Sequence, residues 1–198
     1  MLPSIYSSLP VNHHHGVTRE AVKILGQNRD FVQLWTDVEA KYACPLQIVP
    51  LTHEKAKKHF LFGATACYHF DSEKNIFSFA AIYFDKEKLH TSLHVVGCIA
   101  YNVLLLNQQE ELQNLEPNLH SRDDFIESYQ FILYKTTRLT DEFFQRGVSN
   151  GYFNAEEFEE VPWNRAFNTF KEYLEDAANN GHNKAIRSRW DSKQISAK

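Results

Sequence analysis

The sequence has few glycines and cysteines, and it lacks the motifs that are built from them. Only 7 glycines occur in 198 residues, and neither G-x-x-x-x-G-K-[ST] nor G-x-G-x-x-G is present. The usual phosphate-binding loops are therefore excluded. The three cysteines, Cys44, Cys67 and Cys98, show no C-x-x-C spacing. An odd number of scattered cysteines favours a reducing compartment over a disulfide framework.

Long apolar runs and an excess of basic charge are also missing. No run approaches the roughly 18 apolar residues that a membrane helix needs, and the N-terminus lacks the pattern of a secretory signal. The net charge is −4, whereas a nucleic-acid-binding domain is usually basic. The sequence therefore predicts a cytoplasmic protein, or one delivered into another cell by a signal-less secretion route, with neither membrane nor nucleic acid as partner.

Aromatic and aliphatic residues are plentiful. Hydrophobic residues make up 43% of the chain and aromatic residues 14%, with 15 phenylalanines. This composition predicts a well-filled core, and the length suits one domain over residues 1–198. Residues 1–16 are interpreted as a loop-like N-terminal segment, because Pro3, Pro10 and Gly16 interrupt it.

The order of periodic segments predicts an α+β fold, a small antiparallel sheet followed by a helical majority. Two helices come first, and the second has Phe31, Trp35 and Val38 at helical spacing. Aromatic and β-branched segments then predict strands, two of them forming a hairpin. The predicted helices cover about 18–25, 29–42, 85–112, 121–147 and 156–178, with a short last helix, and the predicted strands cover 46–51, 60–70 and 76–84.

The stretch H-T-S-L-H, residues 90–94, is the main candidate for chemistry. His90 and His94 stand four positions apart, so on a helix they share one face and can bind one metal ion. Zinc peptidases use H-E-x-x-H, in which the glutamate activates the metal-bound water. Thr91 occupies that position here, and a hydroxyl is a poor base at neutral pH. Two histidines packed beside a core helix remain the alternative.

The layout around this stretch resembles zincin-like bacterial putative metallopeptidase domains. The segment "ACYHFDSEKNIFSFAAIYFDKEKLHTSLH" places two strands before the histidine helix, and "SRDDFIESYQFILYKTTRLTDEFF" is similar to the helix that follows. The resemblance covers residues 60–147. It implies a third metal ligand on that later helix, matched to Glu127, with Asp124 and His120 as rivals. Zinc is the metal that such a site implies.

The resemblance departs from the family at the residue that the reaction needs most. Placing His94 at the first histidine of the motif would put Val95 at the glutamate and Cys98 at the second histidine. Both registers lose the catalytic carboxylate. We therefore expect a metallopeptidase-like protein with a degenerate active helix, which binds a protein partner, with or without a metal, and does not hydrolyse it.

Two other interpretations stay open. Cys67, with His69 and Asp71 on one strand face, and Cys98, one turn after His94, are candidate nucleophiles of a cysteine-dependent hydrolase. A module without metal, such as a toxin-neutralising, effector or regulatory protein, is the other. Aromatic residues at helical spacing in 154–176 predict core packing, or else a groove or exposed helix for a partner.

Overall fold

The structure is a computed structural model. It describes residues 16–52, 66–71, 73, 75–83, 92–115, 121–154, 156–157, 167–179 and 182–196. The N-terminal segment predicted as a loop lies outside these residues, apart from Gly16, which begins the first helix.

The first two helices pack together at the N-terminal side of the core. Helix α1 spans Gly16–Gln27 and α2 spans Arg29–Tyr42. Asn28 caps α2, since its side-chain oxygen accepts a 3.1 Å hydrogen bond from the backbone N–H of Phe31. Phe31, Trp35 and Val38 form the buried stripe of α2. The prediction for this helix is confirmed at both ends.

Three strands follow, β1 (Leu46–Thr52), β2 (Ala66–Asp71) and β3 (Ile76–Tyr83). Strand β3 lies between the other two. It pairs antiparallel with β2, with Phe70 opposite Phe77, and parallel with β1, with Leu46 opposite Phe77. The parallel pairing brings together segments that are distant in the chain.

The predicted α+β class, with its small antiparallel sheet, is wrong. The described part of the protein is mostly helical, and its strands form a mixed arrangement because β1 runs parallel to β3. The two helices that were predicted before the strands are present. Among the residues whose burial the structure describes, the larger core cluster is built mainly by helices, and its described members from outside a helix are Cys44, Leu46 and Phe153.

Helix α3, Ser92–Asn107, is the centre of this core. Nearly every residue from Leu93 to Val103 is buried, all around the helix, as expected for a helix enclosed on every side. It contacts α1, α2, β2 and β3. The short helix α4, Gln109–Gln113, follows after a break at Gln108. The single helix predicted over 85–112 is therefore two helices in this region.

The longest described helix is α5, Arg122–Ser149. Ser121 caps it: its hydroxyl accepts from the backbone N–H of Asp124 at 3.2 Å, and the Asp124 carboxylate accepts from the Ser121 N–H at 3.3 Å. This capping box confirms the predicted start. The helix continues beyond the predicted end at Gly147, and the left-handed residue after it is Gly151, with φ of 74°.

Two helices complete the described part, α6 (Phe170–Asn179) and α7 (His182–Ser196). Residues 167–169 are not helical, so the helix predicted to run from 156 to 178 is wrong in that region. The reason is local: the Glu172 carboxylate accepts from the Asn168 and Thr169 N–H groups, which caps α6 at its own start.

Helix α5 joins two hydrophobic clusters. Near its C-terminal end, Phe143 and Phe144 belong to the large cluster around α3. Near its N-terminal end, Phe125, Tyr129 and Ile132 belong to a smaller cluster with α4 and α7. None of the described helices is both long enough and apolar enough to cross a bilayer.

Candidate functional site

The structure describes only the second part of the H-T-S-L-H stretch. His90 and Thr91 lie outside the described residues. His94 is in the first turn of α3, half-buried between Leu93 and Val95, which belong to the large cluster. The pairing of His90 with His94 stays a prediction.

Glu127 and His94 lie on different helices, α5 and α3. Glu127 is exposed on α5, beside Glu111, Leu115 and Phe131. Gln108, just after α3, hydrogen-bonds to the middle of α5, and His94 lies about 21 Å before Gln108 by the rise of a helix. The described contacts therefore do not bring Glu127 to His94. Of its rivals, Asp124 caps α5, and His120 lies outside the described residues.

Within the described ranges, no group of three or more His, Cys, Asp or Glu side chains has the arrangement of a metal site. Those ranges omit His90, so the zinc prediction is neither supported nor removed by this finding.

The cysteine alternatives find little support in the geometry. Cys98 is 2% exposed and Cys44 is 4% exposed, and neither forms a disulfide. A buried thiol gives a substrate no access, and burial in apolar surroundings disfavours the thiolate. The backbone of Cys67 lies in β2, but its side chain is outside the description, as are those of His69 and Asp71.

The structure reveals a different feature, a groove between α4, α5 and the start of α6. Its volume is about 460 Å³, and we call it the α5 groove. Such a volume lies within the range of protein ligand sites. Apolar and acidic side chains line it together, among them Leu115, Phe131 and Phe170 with Glu111, Asp124 and Glu127.

Phe131 dominates the apolar part of this groove. It is 47% exposed, and among the described residues it is the exposed large hydrophobic side chain. The ring of Phe170 meets it edge-to-face, with centroids 5.2 Å apart, and Tyr134 stands 5.6 Å from Phe170. These contacts hold the Phe131 ring in place while leaving about half of its surface open to solvent.

The wall behind Phe170 is firmly built. Tyr173 is buried against Tyr134 and Phe167, with centroid distances of 5.6 and 5.3 Å. Burial, reinforced by the charge of Asp176, raises the pKa of the Tyr173 phenol. Arg138 on α5 donates to the Phe167 carbonyl at 3.3 Å. The groove is therefore framed by fixed elements.

The carboxylates of the α5 groove are engaged to different degrees. Lys135 forms an ion pair with Glu111 at 2.8 Å. Asp124 is held in the capping box of α5. Glu127 forms no ion pair with any described residue and is exposed. Glu127 is therefore the groove carboxylate that has neither an ion pair nor a capping role among the described residues.

The sequence interpretation selected Glu127 but missed its neighbour Phe131. The signal was present, because the buried positions Phe125, Tyr129 and Ile132 define the core stripe of α5 and Phe131 falls off it. A large aromatic residue on the polar side of an amphipathic helix indicates a contact surface. Phe170 was included in the aromatic segment, with core packing preferred; it lines the groove while Tyr173 is core.

Comparison with known proteins adds no family to this picture. No family model matches the chain, and the searches of curated proteins and of solved structures found no match.

Proposed function

We propose that this protein acts by binding another protein in the α5 groove, without hydrolysing it. The observation that carries the proposal is Phe131, nearly half exposed on the wall of a groove that also contains Phe170 and Leu115. A single exposed apolar residue is ordinary on a protein surface. An exposed ring that is fixed by other aromatic rings and borders a cavity is typical of an interface anchor.

The energetic argument favours association. Covering an exposed aromatic ring removes apolar surface from water, which stabilises a complex by roughly 25 cal/mol per Å². The rigid packing of Phe131 against Phe170 reduces the conformational entropy that binding would cost. No chemistry at the groove is needed for this role, in agreement with the loss of the catalytic glutamate at Thr91.

A selection experiment tests this proposal. A library of random 16-residue peptides displayed on phage would be selected on the full chain and counter-selected on Phe131→Ser. We expect peptides that bind the unaltered protein and lose binding to Phe131→Ser. The variant should stay folded, with a thermal melt lowered by only a few degrees, because Phe131 lies outside both core clusters and loses one edge-to-face contact with Phe170.

The matched control is Glu142→Ser, an exposed position on the same helix that does not line the groove. It should bind the selected peptides as the unaltered protein does. The proposal would be wrong if every enriched peptide bound Phe131→Ser and the unaltered protein equally well.

A further inference from the structure

Phe131 and Glu127 lie one helical turn apart on α5, and both line the groove. Residues four apart on a helix have Cβ atoms about 5–6 Å from each other on the same face. A partner that covers Phe131 therefore brings its neighbouring side chains to Glu127. The groove offers an apolar contact and a negative charge at a fixed spacing.

The charge of this surface is one-sided. Among the described residues, three carboxylates line the groove, and Lys135 forms an ion pair with one of them, Glu111. Asp124 is engaged in capping, which leaves Glu127 as the carboxylate available to a ligand. The whole chain carries a net charge of −4, so long-range attraction also favours a cationic partner.

The exposed aromatic ring beside Glu127 distinguishes arginine from lysine. A guanidinium group can donate two parallel hydrogen bonds to the Glu127 carboxylate, and its weakly hydrated, planar face tolerates the apolar contact at Phe131 next to it. A lysine ammonium is a compact charge that is strongly hydrated and satisfies only one of these contacts well. The pair of neighbouring groups therefore selects arginine.

We propose that the occupant of the α5 groove is an amphipathic helix of another protein, which places an apolar residue against Phe131 and an arginine, one turn away, against Glu127. This rests on the proposed function. We expect the partner segment to be helical because side chains four positions apart on a helix have the same spacing as Glu127 and Phe131. The flanking helices α4 and α6 leave a cavity of about 460 Å³ for its apolar side chains.

A double-mutant cycle with the selected peptides tests the inference. The best Phe131-dependent peptide would be synthesised with arginine and with citrulline, which has the same shape and no charge. Its dissociation constant would be measured by fluorescence polarisation on the unaltered protein and on Glu127→Gln. We expect each single change to weaken binding about twofold to fivefold, the range of an exposed ion pair.

The measurement on the citrulline peptide with Glu127→Gln shows whether the two groups contact each other. When both changes are combined, binding should be no weaker than with either change alone, because the same contact has been removed. Glu142→Gln, which removes a carboxylate from the same helix outside the groove, should leave the dissociation constant unchanged. Circular dichroism of the bound peptide should show helix formation.

The outcomes separate this inference from the proposed function. The inference would be wrong, and the proposed function unaffected, if peptides that lose binding to Phe131→Ser contained no basic residue. The same conclusion would follow if those peptides bound Glu127→Gln and the unaltered protein with equal affinity. Absence of any Phe131-dependent peptide would overturn both. If sedimentation equilibrium showed a dimer that Phe131→Ser abolishes, the occupant would be a second copy of the chain, and the helix of another protein would be excluded.

Discussion

Gln108 donates a 2.7 Å hydrogen bond from its side-chain amide to the hydroxyl of Thr136, joining the break after α3 to the middle of α5. Thr136 in turn donates to the Ile132 carbonyl at 2.9 Å. The two residues are 7% and 0% exposed. Because a buried polar group costs free energy unless it is paired, this bond favours one register of α3 against α5.

Replacing Thr136 with valine should destabilise the protein by about 1–2 kcal/mol, since the buried Gln108 amide would keep only its longer, 3.4 Å hydrogen bond to the Leu104 carbonyl. Gln108→Leu should cost a similar amount. The double variant should lose less than the sum of the single variants, because it leaves no orphaned amide or hydroxyl. Urea denaturation of the four proteins measures this, and strictly additive losses would contradict the coupling.

Gly147 lies inside α5 because a side chain there would overlap the ring of Phe153, which is buried in the large cluster. We expect Gly147→Ala to destabilise the protein by about 1–3 kcal/mol through overpacking, despite the higher helix propensity of alanine. Gly16→Ala is the matched control, since no atom lies within 4 Å of the added carbon. Its thermal melt should be unchanged or slightly higher, and equal effects at the two glycines would refute this account.

Asp141 should make the protein less stable as the pH rises. Burial raises its pKa above the ordinary value of 3.8, against the opposing charge of Arg138 and with the help of Glu142. One carboxylate oxygen accepts from Gln145 at 2.8 Å, and the other has no hydrogen-bond partner among the described residues. The unfolded chain therefore loses this proton at a lower pH than the folded protein does.

The consequence has a definite sign. Below the pKa of Asp141 in the unfolded chain, both states hold the proton, and Asp141 adds no pH dependence to the free energy of unfolding. Above that pKa, the free energy of unfolding falls as the pH rises, until the carboxyl of the folded protein also ionises. Relative to the unaltered protein, Asp141→Asn should gain stability as the pH is raised from about 3 to about 7. Asp37→Asn, an exposed carboxylate with a similar glutamine contact, is the control. A constant difference across this range would contradict the prediction.

The zinc hypothesis for the H-T-S-L-H stretch makes its own prediction. Protein purified without an affinity tag should carry zinc near stoichiometry by elemental analysis, and His94→Ala should reduce both the zinc content and the chelator-sensitive part of the thermal stability. If the metal is substoichiometric and His94→Ala changes neither quantity, the hypothesis is wrong and His94 is a packing residue of α3.

Local patterns in the sequence predicted much of the helical structure. The apolar spacing in Arg29–Tyr42 fixes the buried face of α2, and Ser121 with Asp124 fixes the start of α5. Both signals act within one or two turns, so they do not depend on the rest of the chain. Glycine is less informative. The sequence predicts a helix end at Gly147, whereas a side chain at this position would overlap the ring of Phe153, six residues later.

The sequence predicts single residues of the candidate site but not which of them lie together. Glu127 is predicted as a metal ligand, and the structure places it in the groove with Phe131, on a different helix from His94. The distance between two residues on different helices depends on how those helices pack against each other. The spacing of residues along one helix contains no information about that packing. The same limit explains the incorrect fold class, because the parallel pairing of β1 with β3 is a contact between segments far apart in the chain.

By itself, the sequence determined the apolar face of α2, the capped start of α5, and that no carboxylate stands between His90 and His94. Packing decided the rest: that α3 is enclosed on all sides, that Gln108 meets Thr136, and that Phe131 is left open beside Glu127. Periodicity and capping are local properties with a free energy of their own. Exposure and proximity exist only when separate elements exclude water from one another.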